Sequence, residues 1–120
     1  MSKLNIIHVI SYIGKDQGGP VESLRLIAKA QADLGHNINV VHTHKESDGM
    51  KINFDHKIKV TQLQSVTNYR ISFNLFNKVI RKNHIPDIIH LHGLWSYNLI
   101  LANRLHKKYT IPLIISPCGM

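Results

Sequence analysis

A chain of 120 residues with 43% hydrophobic content has material for one core, which excludes a disordered tail or a fibrous repeat. A single cysteine rules out an internal disulfide and points to a reducing compartment. The formal net charge of +8 suits an anionic partner, whether nucleic acid, a membrane surface or a phosphorylated small molecule, without choosing among them. Lys and Arg are scattered apart from Arg81-Lys82 and Lys107-Lys108, so a solvated basic surface explains the charge equally well. The short apolar run at the N-terminus has no small-residue cleavage site after it, and no stretch nears the roughly 18 apolar residues of a spanning helix. The expected setting is cytoplasmic, with room for peripheral contact at an anionic inner membrane.

Leu4 to Ile10 is an apolar run interrupted only by Asn5 and His8, which predicts a buried strand. "GKDQGGPVES" follows, a loop running into a helix. Val21, Leu24, Ile27, Ala28 and Leu34 form the predicted helical stripe, with Gly35 ending it. Asn37 to Val41 reads as a second strand and His44 to Asp55 as a polar loop. Ile58 to Leu63 alternates like a third strand. Arg70 to Asn83 carries a broad apolar face built on Ile71, Leu75, Phe76, Val79 and Ile80. "DIIHLH" after Pro86 is a fourth strand, Trp95 to Tyr109 a further helical stripe, and "PLIIS" (112–116) a fifth strand.

Strands alternating with helices imply right-handed crossovers and a mainly parallel sheet. The expected fold is α/β, a Rossmann-like doubly wound sheet of order 3-2-1-4-5, in one domain spanning residues 1–120. Ligands of such sheets bind at the carboxyl ends of the strands, where the order reverses. Here that edge carries Ser11 to Gly19, His90 to Ser96, and "SPCGM".

Each stretch has a chemical and a plain reading. Pro20 fits a helix's first turn, where its missing N–H has no intrahelical role, and Gly19 before it serves as the cap. Glycines there let a phosphate or sugar approach free backbone N–H groups; a tight turn is the plain alternative. Neither GxxxxGK[ST] nor GxGxxG occurs, which disfavours both major nucleotide motifs. Glu22 complements the helix dipole. In "HLHGLWS", His90 and His92 share one sheet face. His92 lies at the ligand edge beside Gly93, and His90 deeper as a packed, hydrogen-bonded residue. No further metal ligands stand at fitting spacing. Trp95 packs at a helix start, and the remaining histidines, His42, His44 and His56 among them, read as loop or surface residues. Cys118 between Pro117 and Gly119 reads as part of a turn; a nucleophilic role needs a thiolate-stabilising base.

Taken together, "GGPVES", "LIAKAQADLGHNINVVHTH", "PDIIHLHGLWSY" and "IPLIISPCGM" resemble the N-terminal domain of family 4 glycosyltransferases, across nearly the whole chain and least over 44–70. The resemblance implies the GT-B architecture: two Rossmann-like domains face a cleft, a sugar moves from a nucleotide-sugar donor to an acceptor with retention, and no metal or other cofactor is needed. It implies that Gly18 and Gly19 approach the donor phosphates and sugar, and that His92 is the catalytic-site histidine contacting the donor sugar. Trp95 and Ser96 then face the acceptor, and Cys118 and Gly119 follow the fifth strand. Cys118 stands where related sequences often carry histidine or arginine, which removes a charged contact.

The family's donor-binding C-terminal domain has no counterpart in these residues, so a chain of this length is expected to be inactive alone, as a fragment or shortened product. The setting the resemblance implies is bacterial surface polysaccharide or lipopolysaccharide assembly, with a saccharide or lipid-linked acceptor. A non-enzymatic Rossmann-like module for a nucleotide or other anion is the alternative. Nucleic acid is not expected as a partner, because no basic stripe with interleaved aromatics is present.

Overall fold

The structure is a computed structural model that describes residues 3–10, 13–14, 19–42, 52–62, 65–67, 70–71, 86–92, 106–107 and 110–116. Five strands form one all-parallel sheet: β1 (Asn5–Val9), β2 (Asn37–His42), β3 (Lys59–Gln62), β6 (Ile88–His92) and β7 (Leu113–Ser116). Between them come α1 (Gly19–Asp33) and a small antiparallel pair, β4 (Ser65–Thr67) with β5 (Arg70–Ile71). The sheet order is β3-β2-β1-β6-β7, which is the expected 3-2-1-4-5 arrangement of a Rossmann-like α/β fold.

Burial on both faces matches the central places of β1 and β6 and the edge place of β3, whereas the apolar β7 lies at the other edge with Ile114 and Ile115 exposed. β1 and β6 are nearly continuous apolar runs and lie at the centre, while β3 is polar on most positions and lies at an edge. Ile7, Val9, Val41, Ile89 and Leu91 are buried on one face. Ile6, Ile10, Ile38 and Val40 are buried on the other, against Val21, Leu24, Ala28 and Ala32 of α1. A leucine buried as fully as Leu24 contributes about 1.5–3 kcal/mol relative to exposure.

Polar contacts fix the amino ends of three neighbouring strands. The Asn5 N–H donates to Asp87 Oδ2 at 2.7 Å, the Asp87 N–H donates to the Asn5 carbonyl at 2.7 Å, and Asn37 Nδ2 donates to Asn5 Oδ1 at 2.9 Å. A one-residue slip would turn each strand's faces inside out, so these contacts and the two-sided burial select one register.

α1 ends in a Schellman motif. Gly35 has φ 97°, its N–H donates to the Ala32 carbonyl, and the His36 N–H donates to the Gln31 carbonyl. The turn also places His36 Nδ1 to accept from the Leu4 N–H at 3.1 Å, which ties the helix end to the start of β1. The predicted stop at Gly35 is therefore met.

Several expectations are corrected. Ile27 and Leu34 are 38% and 66% exposed, and Ala32 is buried in their place. The buried arc is centred on Val21, Leu24, Ala28 and Ala32. Ile27 lies roughly 100° round the helix from it, and Leu34 lies beyond its end. α1 begins at Gly19, so Gly19 occupies the first turn together with Pro20 rather than standing outside as a cap. Ile58 is buried just ahead of β3 and Val60 is 42% exposed within it, because an edge strand lacks a neighbour on one side. Arg70 and Ile71, read as the start of a segment with a broad apolar face, form β5, with Ile71 paired to Ser65 and Arg70 to Thr67 of β4. The rest of that segment, and most of the predicted helix after Trp95, lie outside the described residues.

Candidate functional site

The alternation of side chains along β1 and β6 brings three histidines together. His8 lies opposite His90 in the parallel register, and His92 is one pleat further along β6, opposite Ser116 of β7. All three sit on the face that α1 covers. His8 is fully buried, and His90 and His92 are 9% and 6% exposed. The cluster occupies the junction of β1 and β6, where the strand order reverses, and His92 closes the carboxyl end of β6.

The ring geometry is closely defined. His90 and His92 stack with centroids 4.2 Å apart and planes 22° from parallel. His8 lies against both, at 5.1 and 5.2 Å, with its ring tilted. His8 Nδ1 and His92 Nε2 are 2.9 Å apart, His8 Nε2 is 2.7 Å from Gln31 Oε1 on α1, and His90 Nε2 is 2.7 Å from Ser116 Oγ. With Gln31 Oε1 as acceptor, His8 Nε2 carries a proton, His8 Nδ1 accepts, and His92 Nε2 donates to it.

Electrostatics keep the cluster neutral. Burial pushes His8 down to about 4 from its ordinary 6.5, opposed by the Gln31 hydrogen bond and reinforced by His90. Burial pushes His92 down to about 3, with His90 and His8 adding to the shift, and burial lowers His90 as well. At neutral pH the site therefore offers uncharged imidazoles, which act as hydrogen-bond donors, acceptors and metal-type lone pairs rather than as cations.

Of the residues singled out by sequence, His92 and His90 fall where the pattern puts them, on one face with His90 packed and hydrogen-bonded. Gly19 is placed in the first turn of α1. Gly18, Trp95, Ser96, Cys118 and Gly119 lie outside the described residues. His56 is exposed as expected, with its side chain 88% accessible. His42 is not a surface residue: it is the last residue of β2 and 2% exposed.

Sequence reasoning passed over His8 and Gln31. A signal for His8 exists: "NIIHVI" and "DIIHLH" are near repeats, and the structure pairs Ile6 with Ile88, Ile7 with Ile89 and His8 with His90. Gln31 sits beside the buried arc of α1, three residues after Ala28.

A comparison with protein-family models finds no match for the chain, and none of the curated proteins compared matches it. The chemistry of the site rests on its own residues. Among the described residues, no helix is long and apolar enough to cross a membrane.

Proposed function

We propose that the chain is the N-terminal, acceptor-side half of a retaining glycosyltransferase, which moves a sugar from a nucleotide-sugar to a polysaccharide or lipid-linked acceptor. The observation that carries this reading is His92, at the carboxyl end of β6 beside β1, where open α/β sheets bind their ligands. The motif resemblance supplies the reaction class. His8 holds His92 Nε2, which leaves Nδ1 of His92 as the nitrogen for a sugar hydroxyl.

In this reading a neutral imidazole in a water-poor site orients the donor sugar, and the charge that develops as the donor bond breaks is met by groups across the cleft. In this scheme these residues supply orientation, and the facing domain of the enzyme supplies that charge stabilisation. Transfer uses no metal in this scheme. The setting is bacterial surface polysaccharide synthesis on the cytoplasmic side of the inner membrane, where the net charge of +8 suits lipid-phosphate acceptors.

The test is sugar transfer by a two-domain protein that carries these residues. His92→Ala should abolish transfer without unfolding the protein, and undiminished transfer would sink the assignment. A second reading, a self-sufficient Rossmann-like module for a nucleotide or other anion, draws on the switch point being assembled wholly within this chain. Calorimetric titration with nucleoside diphosphates and their sugars separates the two. Negligible binding by the chain alone fits the half-enzyme, whereas one-to-one micromolar binding favours the module.

A further inference from the structure

We propose that His8, His90 and His92 form a binding site for one divalent transition-metal ion of the zinc type, with a fourth position open to water. One ring nitrogen from each lies within 4.8 Å of the other two, on rigid strands rather than loops. Around a tetrahedral zinc with Zn–N near 2.0–2.1 Å, ligand nitrogens are about 3.3 Å apart. The 2.9 Å between His8 Nδ1 and His92 Nε2 needs only a small expansion to reach that spacing.

The outer nitrogens are held as metal sites hold theirs. Gln31 Oε1 takes the Nε2–H of His8, whose Nδ1 faces His92, and Ser116 Oγ lies against Nε2 of His90, which makes Nδ1 the coordinating nitrogen of His90 in this scheme. Burial keeps the rings uncharged at neutral pH, so no proton need be driven off for their lone pairs to be available. Three neutral imidazoles with no carboxylate select a borderline ion such as Zn²⁺, Co²⁺ or Cu²⁺ over Mg²⁺ or Ca²⁺.

Binding requires two local changes. The Nε2 proton of His92 moves to its own Nδ1 through solvent, a change of tautomer with no net proton released. The His92 ring then turns out of its stack on His90, because coordinating lone pairs lie in the ring planes and a near-parallel stack cannot aim two of them at one ion. His92 is the terminal residue of β6, whereas His8 and His90 lie within their strands, so His92 is the ring that turns.

This inference shares His92 with the transferase reading but does not rest on it, and its test uses no nucleotide-sugar, so the two can fail separately. Chelator-stripped chain is titrated with Zn²⁺ by calorimetry and with Co²⁺ by visible absorption. The expected result is saturation at one ion per chain, with the intense bands of four-coordinate cobalt. Gln31→Leu should weaken zinc binding about 10–100-fold by releasing His8, His92→Gln should abolish it, and exposed His56→Ala should leave it unchanged. Imidazole ¹⁵N spectra of the wild-type chain give a readout that needs no variant: zinc should shift His8, His90 and His92 together. No saturable uptake, unaltered affinity in a folded His92→Gln chain, or shifts confined to exposed histidines such as His56 would overturn the proposal.

Discussion

Acidification from pH 7 to pH 5, with chelator present, should strip the fold of a large part of its stability. Unfolded, His8 and His92 titrate near 6.5; folded, burial holds them near about 4 and about 3. Between those values the unfolded chain binds protons that the folded chain refuses. Stability is therefore full above pH 6.5, falls as the pH drops through the window, and levels off only below the folded values. At pH 5 an unfolded histidine is almost wholly protonated and either folded one almost wholly neutral. Each then costs about 2 kcal/mol, and the pair about 4 kcal/mol. His90, also lowered, adds a loss of the same sign. The depressed carboxyls of Glu22 and Asp33 begin to lose their partners only in the ordinary carboxylate range, below the pH 7 to pH 5 interval of the test.

Against a total of about 5–15 kcal/mol for a domain, a 4 kcal/mol loss is severe. The melting temperature should fall by roughly 10–20 °C between pH 7 and pH 5. Urea midpoints and thermal melts at half-unit pH steps measure it, and a folded His92→Gln variant should lose about one proton from the slope near pH 5.5. A melting temperature that stays level over this range would refute the buried, neutral cluster.

Other changes probe the frame around the site. Gly35→Ala meets open space but keeps φ at 97°, so it should destabilise by about 1–2 kcal/mol from backbone strain alone, read as a shift in urea midpoint at constant slope. Leu24→Ala opens a cavity where α1 meets the sheet and should cost about 3–5 kcal/mol in the same assay. Thr110 is exposed and held at φ 57°, a poor conformation for a β-branched residue. Thr110→Asn should raise stability by several tenths of a kcal/mol, visible as a higher melting temperature.

Most of the sheet was legible because its strands, β3 apart, are short apolar runs bounded by polar or helix-breaking residues, and Gly35 announced the end of α1 because the left-handed conformation there is easy for glycine and costly for other residues. The face of α1 was less legible. Ile27 and Leu34 are as apolar as Val21, and only the narrow contact with one side of a sheet decides that Ala32 is buried while they are not. Ile71 could not be read as strand from its own segment, because its partner Ser65 belongs to another. The site was half legible. His92 was found from its place at a strand end, whereas His8 sits mid-strand and acquires a role only through the register that sets it beside His90.

That register raises the question of why three imidazoles occupy positions that leucine could fill. A satisfied polar group in a core gains little over an apolar group of the same shape, and a hydrogen bond to it contributes only about 0.5–1.5 kcal/mol net. Replacing His8, His90 and His92 together by leucine removes three desolvated rings and leaves Gln31 and Ser116, both partly exposed, free to reach water. The triple variant should fold within about 2 kcal/mol of the parent at pH 7, since each stranded partner costs about 1–3 kcal/mol and each leucine gains apolar burial in return. Its stability should also be flat from pH 7 to pH 5 and its zinc uptake nil. A variant that folds this way assigns the histidines to ligand chemistry, because the fold has then been shown to do without them. A variant that collapses at pH 7 would instead make the imidazole network a structural requirement of the β1–β6–α1 junction.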